Sequence, residues 1–243
     1  MLRSLATLAL APVLVAQGLV VRHRALRLPE AAGPRSGTQG RGPRLGLLVL
    51  GDSAAAGVGA TTQDEALVGQ LRDRLSRRHR VDWQLVASSG ATAADALASL
   101  QAMEHFRIDY AVTSVGVNDV VARTPTRRFR NAVADIVDGL RSAGARRIVL
   151  SGLPPMGRFP LLPNPLRAVL GARSIELDAV LAEVARERNA MHLKIDFTVE
   201  VGPEQMAADG FHPGPTIYRE WAEASAALLA EPACSDPTSG VPS

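Results

Sequence analysis

The chain has 243 residues, 47% of them hydrophobic and 21% charged, an ordinary globular balance that supplies one sizeable core. A formal net charge of only +3 and an aromatic content of 4% exclude a strong electrostatic footprint and an aromatic stacking surface, so no nucleic-acid partner is expected. Lys194 is the lone lysine among 27 Lys+Arg, and the run Arg72, Arg74, Arg77, Arg78 and Arg80 interleaves with apolar positions as a solvated helix face does. The single Cys234 rules out both an intrachain disulfide and a thiolate metal site.

Residues 1–27 hold an apolar stretch from Leu5 to Val21, broken by Thr7, Pro12, Gln17 and Gly18 and followed by Arg22-His23-Arg24. It stands at the lower limit, roughly 17 residues, for crossing a bilayer, and is also the size of a signal-peptide core. After the small-x-small triplet Ala16-Gln17-Gly18 the apolar run continues through Leu19-Val20-Val21. The favoured reading is therefore an uncleaved membrane anchor or interfacial helix, giving membrane association through residues 5–21. The alternatives are a cleaved signal, with a secreted or periplasmic domain, and a soluble amphipathic extension. A spanning segment with this basic flank would put the domain in the cytoplasm. Residues 28–44 are rich in Pro, Gly and polar types without apolar periodicity and read as a linker. The domain proper is expected over 45–230, with 231–243 a disordered tail.

From Leu45 onward, short apolar runs alternate with amphipathic stretches. Strands are predicted at Leu45–Leu50, Asp82–Ala87, Ile108–Val115, Arg147–Leu150 and His192–Phe197. Between them, Asp64–Arg78, Ala93–Phe106, Thr126–Ala143 and Leu166–Arg188 read as helices, and Pro215–Leu229 closes the domain as another. Thr126–Ala143 carries Phe129, Val133, Ile136, Val137 and Leu140 on one face. This alternation implies right-handed crossovers and an α/β fold whose parallel sheet is covered on both faces. Ligands of such sheets bind outside the carboxyl ends of the strands.

Four segments should then meet at one rim. Gly51-Asp52-Ser53 follows the first strand, Ser88-Ser89-Gly90 the second, Gly116-Val117-Asn118-Asp119 the third, and Asp209-Gly210-Phe211-His212 the fifth. These residue types suit acyl transfer. A serine hydroxyl becomes nucleophilic when a neutral imidazole takes its proton, and a carboxylate can hold the other ring nitrogen. The developing oxyanion needs preset donors, for which the backbone N–H groups of Ser53 and Gly90 and the amide of Asn118 are candidates. Taken singly, Ser53 reads more readily as a helix cap, Asn118-Asp119 and Asp209-Gly210 as turns, and His212 as a loop histidine. Their occurrence together, each after a predicted strand, favours a site. His23, His79, His105 and His192 lack partner spacing, and no metal-binding set emerges. GVGATT around Gly57 and Gly59 is not followed by the Lys of a phosphate loop.

These four blocks, in this order over most of the domain, resemble those of the SGNH (GDSL-type) hydrolase superfamily. The resemblance implies a flavodoxin-like three-layer α/β/α sandwich with a five-stranded parallel sheet, ester hydrolysis and no metal or organic cofactor. It also implies Ser53, Asp209 and His212 as the catalytic triad and Ser53, Gly90 and Asn118 as the oxyanion hole. Ala54 after the serine, a second block without an early Asn, and GVND in place of GGND depart from the common pattern without removing a catalytic atom.

The fourth strand is followed by a proline-rich stretch in which Met156, Phe159 and Leu162 are expected to wall an acyl-binding pocket, with capping of the core as the equal alternative. The expected function is hydrolysis of small-molecule or lipid esters, of the lysophospholipase or lipase kind. A carbohydrate O-acetylesterase is the near alternative, and a catalytically silent, membrane-anchored binding module is the alternative of another class.

Overall fold

The computed structural model describes residues 10–24, 26–159, 161–195 and 205–230. The start of the apolar segment, Pro160, the last two residues of the fifth predicted strand and the tail with Cys234 lie outside them.

Strand β2 (Arg44–Gly51) explains the architecture. Leu45, Leu47 and Val49 are buried on one side of the sheet, and Leu48 and Leu50 on the other. A strand apolar on both faces belongs in the middle of a covered sheet. It lies there, in the order β1 (Ser36–Gln39), β3 (Arg80–Ala87), β2, β4 (Tyr110–Ser114), β5 (Arg147–Ser151), β6 (Met191–Leu193). All neighbours from β3 to β6 pair in parallel. With β1 set aside this is the flavodoxin-like order, and the chain leaving β2 stands at its switch point.

Helices α3 (Ala93–Gln101), α5 (Thr126–Ser142) and α6 (Leu166–Glu187) cover one face. Helices α2 (Leu67–Leu75) and α7 (Pro215–Ala230) cover the other. The predicted stripe of α5, from Phe129 to Leu140, is buried throughout. A short helix, α4 (Val117–Ala122), starts at the third block where a loop was expected.

The sheet has six strands, one more than expected. The additional β1 lies inside the stretch read as a linker and runs antiparallel to β3, pairing Ser36 with Gln84 and Gln39 with Val81. Its sequence, Ser-Gly-Thr-Gln, is polar and mostly exposed, so no hydrophobic period marks it. It is held by its backbone ladder and by the Thr38 hydroxyl donating to Asp82 at 2.7 Å.

At the N-terminus, α1 (Ala11–Arg24) docks on the loop before α6 and on that helix's first residue. Leu14 is buried there, Gln17 Nε2 donates to the Asn164 carbonyl (2.7 Å), and the Leu166 N–H donates to Gln17 Oε1 (3.1 Å). Val13, Val15, Leu19 and Val20 remain exposed. Among the described residues no helix is long and apolar enough to cross a membrane.

Candidate active site

Where β2 ends, Asp52 pins the turn from which Ser53 projects. Its N–H donates to the Ser114 carbonyl at the end of β4 (3.0 Å). Its buried carboxylate accepts from Ser114 Oγ and from the Ala54 N–H, each at 3.1 Å. Burial pushes the Asp52 pKa from 3.8 up to about 6, against hydrogen bonds from Ser114, Ala54 and Ala55 and the attraction of His212. The small residues that follow let a second segment close over the turn. Gly59 has φ +100°, and a Cβ there would lie 2.2 Å from the Pro213 carbonyl oxygen, so only glycine admits the 205–214 loop so closely. The Tyr218 hydroxyl of α7 donates to the Val58 carbonyl (2.7 Å), fixing the helix that follows that loop.

The 205–214 loop folds back on itself through a Met206–Pro213 bridge and an Ala207 N–H bond to the His212 carbonyl (2.9 Å). At its tip Asp209 Oδ1 accepts the backbone N–H groups of Phe211 (2.9 Å) and His212 (3.0 Å). Asp209 Oδ2 lies 2.6 Å from His212 Nδ1, and His212 Nε2 lies 2.9 Å from Ser53 Oγ. Burial raises the Asp209 pKa, but the His212 ring and the two backbone donors outweigh it and hold the carboxyl below its ordinary value. An ionised Asp209 accepts the Nδ1 proton, which leaves Nε2 to accept from the serine hydroxyl. Phe211 supports the ring from the edge, with centroids 5.2 Å apart, and itself meets Phe159 edge-on at 5.2 Å. A hydroxyl, an imidazole and a carboxylate hydrogen-bonded in series can move a proton off the hydroxyl as it attacks a carbonyl.

Asn118 lies in the first turn of α4, and its Nδ2 donates to the Ala91 carbonyl (2.9 Å), next to Gly90. The amide has a second hydrogen to give. Among the described residues, the backbone N–H groups of Ser53 and Gly90 donate to no protein acceptor. At position 90 glycine is not required by close packing. A Cβ there would meet no atom within 4 Å, and the requirement comes instead from its φ of +86°. In the same block Asp119 accepts the Ala93 N–H (2.9 Å) at the start of α3, with its other oxygen buried and unpaired, and burial raises its pKa.

A cavity of about 210 Å³ opens beside Ser53 and His212. Phe159 lines it, but Met156 and Leu162 do not: both are buried in the hydrophobic core. The loop therefore caps the core with these two side chains, correcting their assignment to the pocket wall. Leu153, Phe211, Ile217 and Trp221 line the cavity and were not singled out from sequence. Two signals pointed to the last three: Phe211 sits between the two residues of the DxxH block, and Ile217 and Trp221 share a helical face just after it. His192, read as unpartnered, lies with Nε2 2.9 Å from Asp178 Oδ1, which also accepts the Leu153 N–H (2.9 Å). A separation of 14 positions in sequence hides a contact that the packing of α6 on β6 creates. Among the described residues no group of three or more His, Cys, Asp and Glu could hold a metal ion.

A doubly wound sheet bearing Ser53, His212 and Asp209 in hydrogen-bonded series at its switch point defines the SGNH class of α/β/α hydrolases. Residues 49–220 match the GDSL-like lipase/acylhydrolase family, and the chain belongs to that family of ester hydrolases. It is 26% identical over 185 residues to the GDSL-like esterase Rv1075c of Mycobacterium tuberculosis, a match covering 71% of this chain and 57% of that relative. The fold is similar to that of TesA (TM-score 0.63, 24% identity, 76% of this chain and 98% of that one). It is also similar to a carbohydrate acetylesterase family member from Sinorhizobium meliloti (TM-score 0.57, 16% identity, 76% and 97%).

Proposed function

We propose that this chain is a serine esterase that hydrolyses carboxylic esters of hydrocarbon-chain acids through an acyl-enzyme on Ser53. The observation that carries the reading is the 2.9 Å approach of His212 Nε2 to Ser53 Oγ at the mouth of an apolar cavity. His212 takes the hydroxyl proton as Ser53 Oγ bonds to the carbonyl carbon, and ionised Asp209 stabilises the imidazolium. The N–H groups of Ser53 and Gly90 and the free hydrogen of the Asn118 amide receive the oxyanion. The imidazolium then protonates the leaving alcohol, and a water, deprotonated by the same ring, releases the acid and restores the serine.

A fluorophosphonate probe tests the reading. Labelling of the wild type, lost in Ser53→Ala, is the expected result. A folded wild type that takes no label would instead favour a silent binding module. A p-nitrophenyl ester series from acetyl to palmitoyl then separates the two enzymatic readings, since a carbohydrate O-acetylesterase would be confined to acetyl esters.

We take α1 as an interfacial helix that lays the rim of the domain on a lipid surface, with residues 36–230, from β1 to the end of α7, as the catalytic unit in place of the expected 45–230. Residues 1–29 contain Arg3, Arg22, Arg24 and Arg27 and no acidic residue, and the exposed Val13, Val15, Leu19 and Val20 sit on a helix already bound to the loop before α6. Apolar side chains flanked by cations suit an anionic bilayer surface. The full chain should float with vesicles containing phosphatidylglycerol, and Val15→Glu with Leu19→Glu should release it. Flotation unaffected by these changes would refute the assignment.

A further inference from the structure

The cavity beside Ser53 has a direction. Its lining takes residues from the carboxyl ends of four neighbouring strands in turn: Ser53 after β2, Val115 after β4, Leu153 after β5 and Ile195 after β6. Three strand spacings of about 4.8 Å make a trough of roughly 14 Å from the nucleophile to the edge of the sheet. One wall is α7, where Ile217, Trp221 and Ala224 recur at helical spacing over about 10 Å of the axis. Trp221 is held rigidly in that wall, its indole N–H donating to Ser151 Oγ (3.0 Å) and its ring stacked on Tyr218 at an interplanar angle of 12°. Away from the catalytic loops, the charged residues of the lining are Lys194, which follows the edge strand β6, and Glu220 on α7, both exposed.

We propose that this trough is the binding site for the substrate's hydrocarbon chain, and that it measures the chain. Trp221 and Ala224 shape its bore, while Lys194 and Glu220 mark where apolar burial ends. The proposal rests on the esterase reading and extends it to substrate length. A volume of about 210 Å³ falls below the roughly 300–1,000 Å³ of pockets that take drug-sized ligands, which fits one unbranched chain of medium length. Each methylene buried along the apolar walls should raise kcat/KM about fourfold. Methylenes beyond the charged end bury no further apolar wall, so the gain stops there. Because β3, with Gly90 after it, lies on the opposite side of β2, the chain runs away from one of the proposed oxyanion donors. The hydrocarbon could be the acyl group or the alkyl group of the alcohol, and the test separates them.

Two ester series are compared on the full chain: p-nitrophenyl esters of increasing acyl length, and acetates of increasing alcohol length. In one series kcat/KM should climb and then level at medium length, which assigns the trough to that half of the ester. Ala224→Phe, which narrows the bore, should lower the ratio of kcat/KM for the optimal ester to that for the acetyl or ethyl member at least tenfold. Lys194→Leu with Glu220→Leu, at exposed positions, should move the optimum to longer chains and keeps the test valid should the first variant fold poorly. A flat wild-type profile in both series, or an optimum that neither variant moves, would overturn the proposal. Absence of any turnover, with no fluorophosphonate labelling, would instead remove the esterase reading beneath it.

Discussion

The turn after β2 and the loop after β5 leave the same rim of the same sheet, but they carry side chains of very different bulk. After β2 the bulk is absent: Ala54, Ala55 and Ala56 follow Ser53, and the buried Asp52 anchors the turn so that the hydroxyl faces outward to His212. After β5 the bulk is present and divided: Met156 and Leu162 seal the core, while Leu153, Pro154 and Phe159 line the cavity and Phe159 supports Phe211. Leaving the right end of a strand is therefore not enough to make a residue part of the site. What decides is whether the apolar surface beneath it still needs covering.

The sharpest break in this comparison comes from the first loop. Ser53→Ala or His212→Ala should reduce kcat by about 10⁴-fold or more while leaving the thermal midpoint near that of the wild type. In the second loop the effect should be on stability: Met156→Ala is expected to cost about 2–5 kcal/mol in urea unfolding without altering acyl preference. Phe159→Ala should instead raise KM for chain-bearing esters. Equal shifts in preference for the two variants would return Met156 to the pocket.

Asn118→Ala should lower kcat by about 10²–10³, roughly 2.7–4 kcal/mol, with little change in KM, as befits a contact made chiefly in the transition state. A change confined to KM would give the amide a ground-state role. The last effect concerns Asp52. Its folded pKa of about 6 lies above the ordinary 3.8, so the native state holds the proton more tightly than the unfolded chain does. Its contribution is therefore most favourable below pH 4 and is lost as pH rises through about 6, by about 3 kcal/mol in all. Asp52→Asn, whose side-chain oxygen can still accept from Ser114, should escape that loss. Its urea midpoint relative to wild type should rise between pH 4 and pH 8, and a constant difference would show that the carboxyl is not held at the raised value.

Periodicity made the sheet legible, because β2 to β5 and the face of α5 bury side chains at regular spacing whatever the tertiary details. It could not reveal β1, whose polar residues are held by backbone pairing and side-chain hydrogen bonds, nor α4, which is too short to show a period.

The amino-acid order by itself determined the layering, the placing of Ser53 at a strand end and the grouping of Asp209 with His212, since each depends on local pattern or on a separation of three residues. Tertiary packing alone decided that Met156 and Leu162 face the core, that His192 meets Asp178, and that α7 and the chain leaving β6 bound a trough running from the serine. Those outcomes depend on which distant surfaces compete for the same apolar volume. No local spacing encodes the result of that competition.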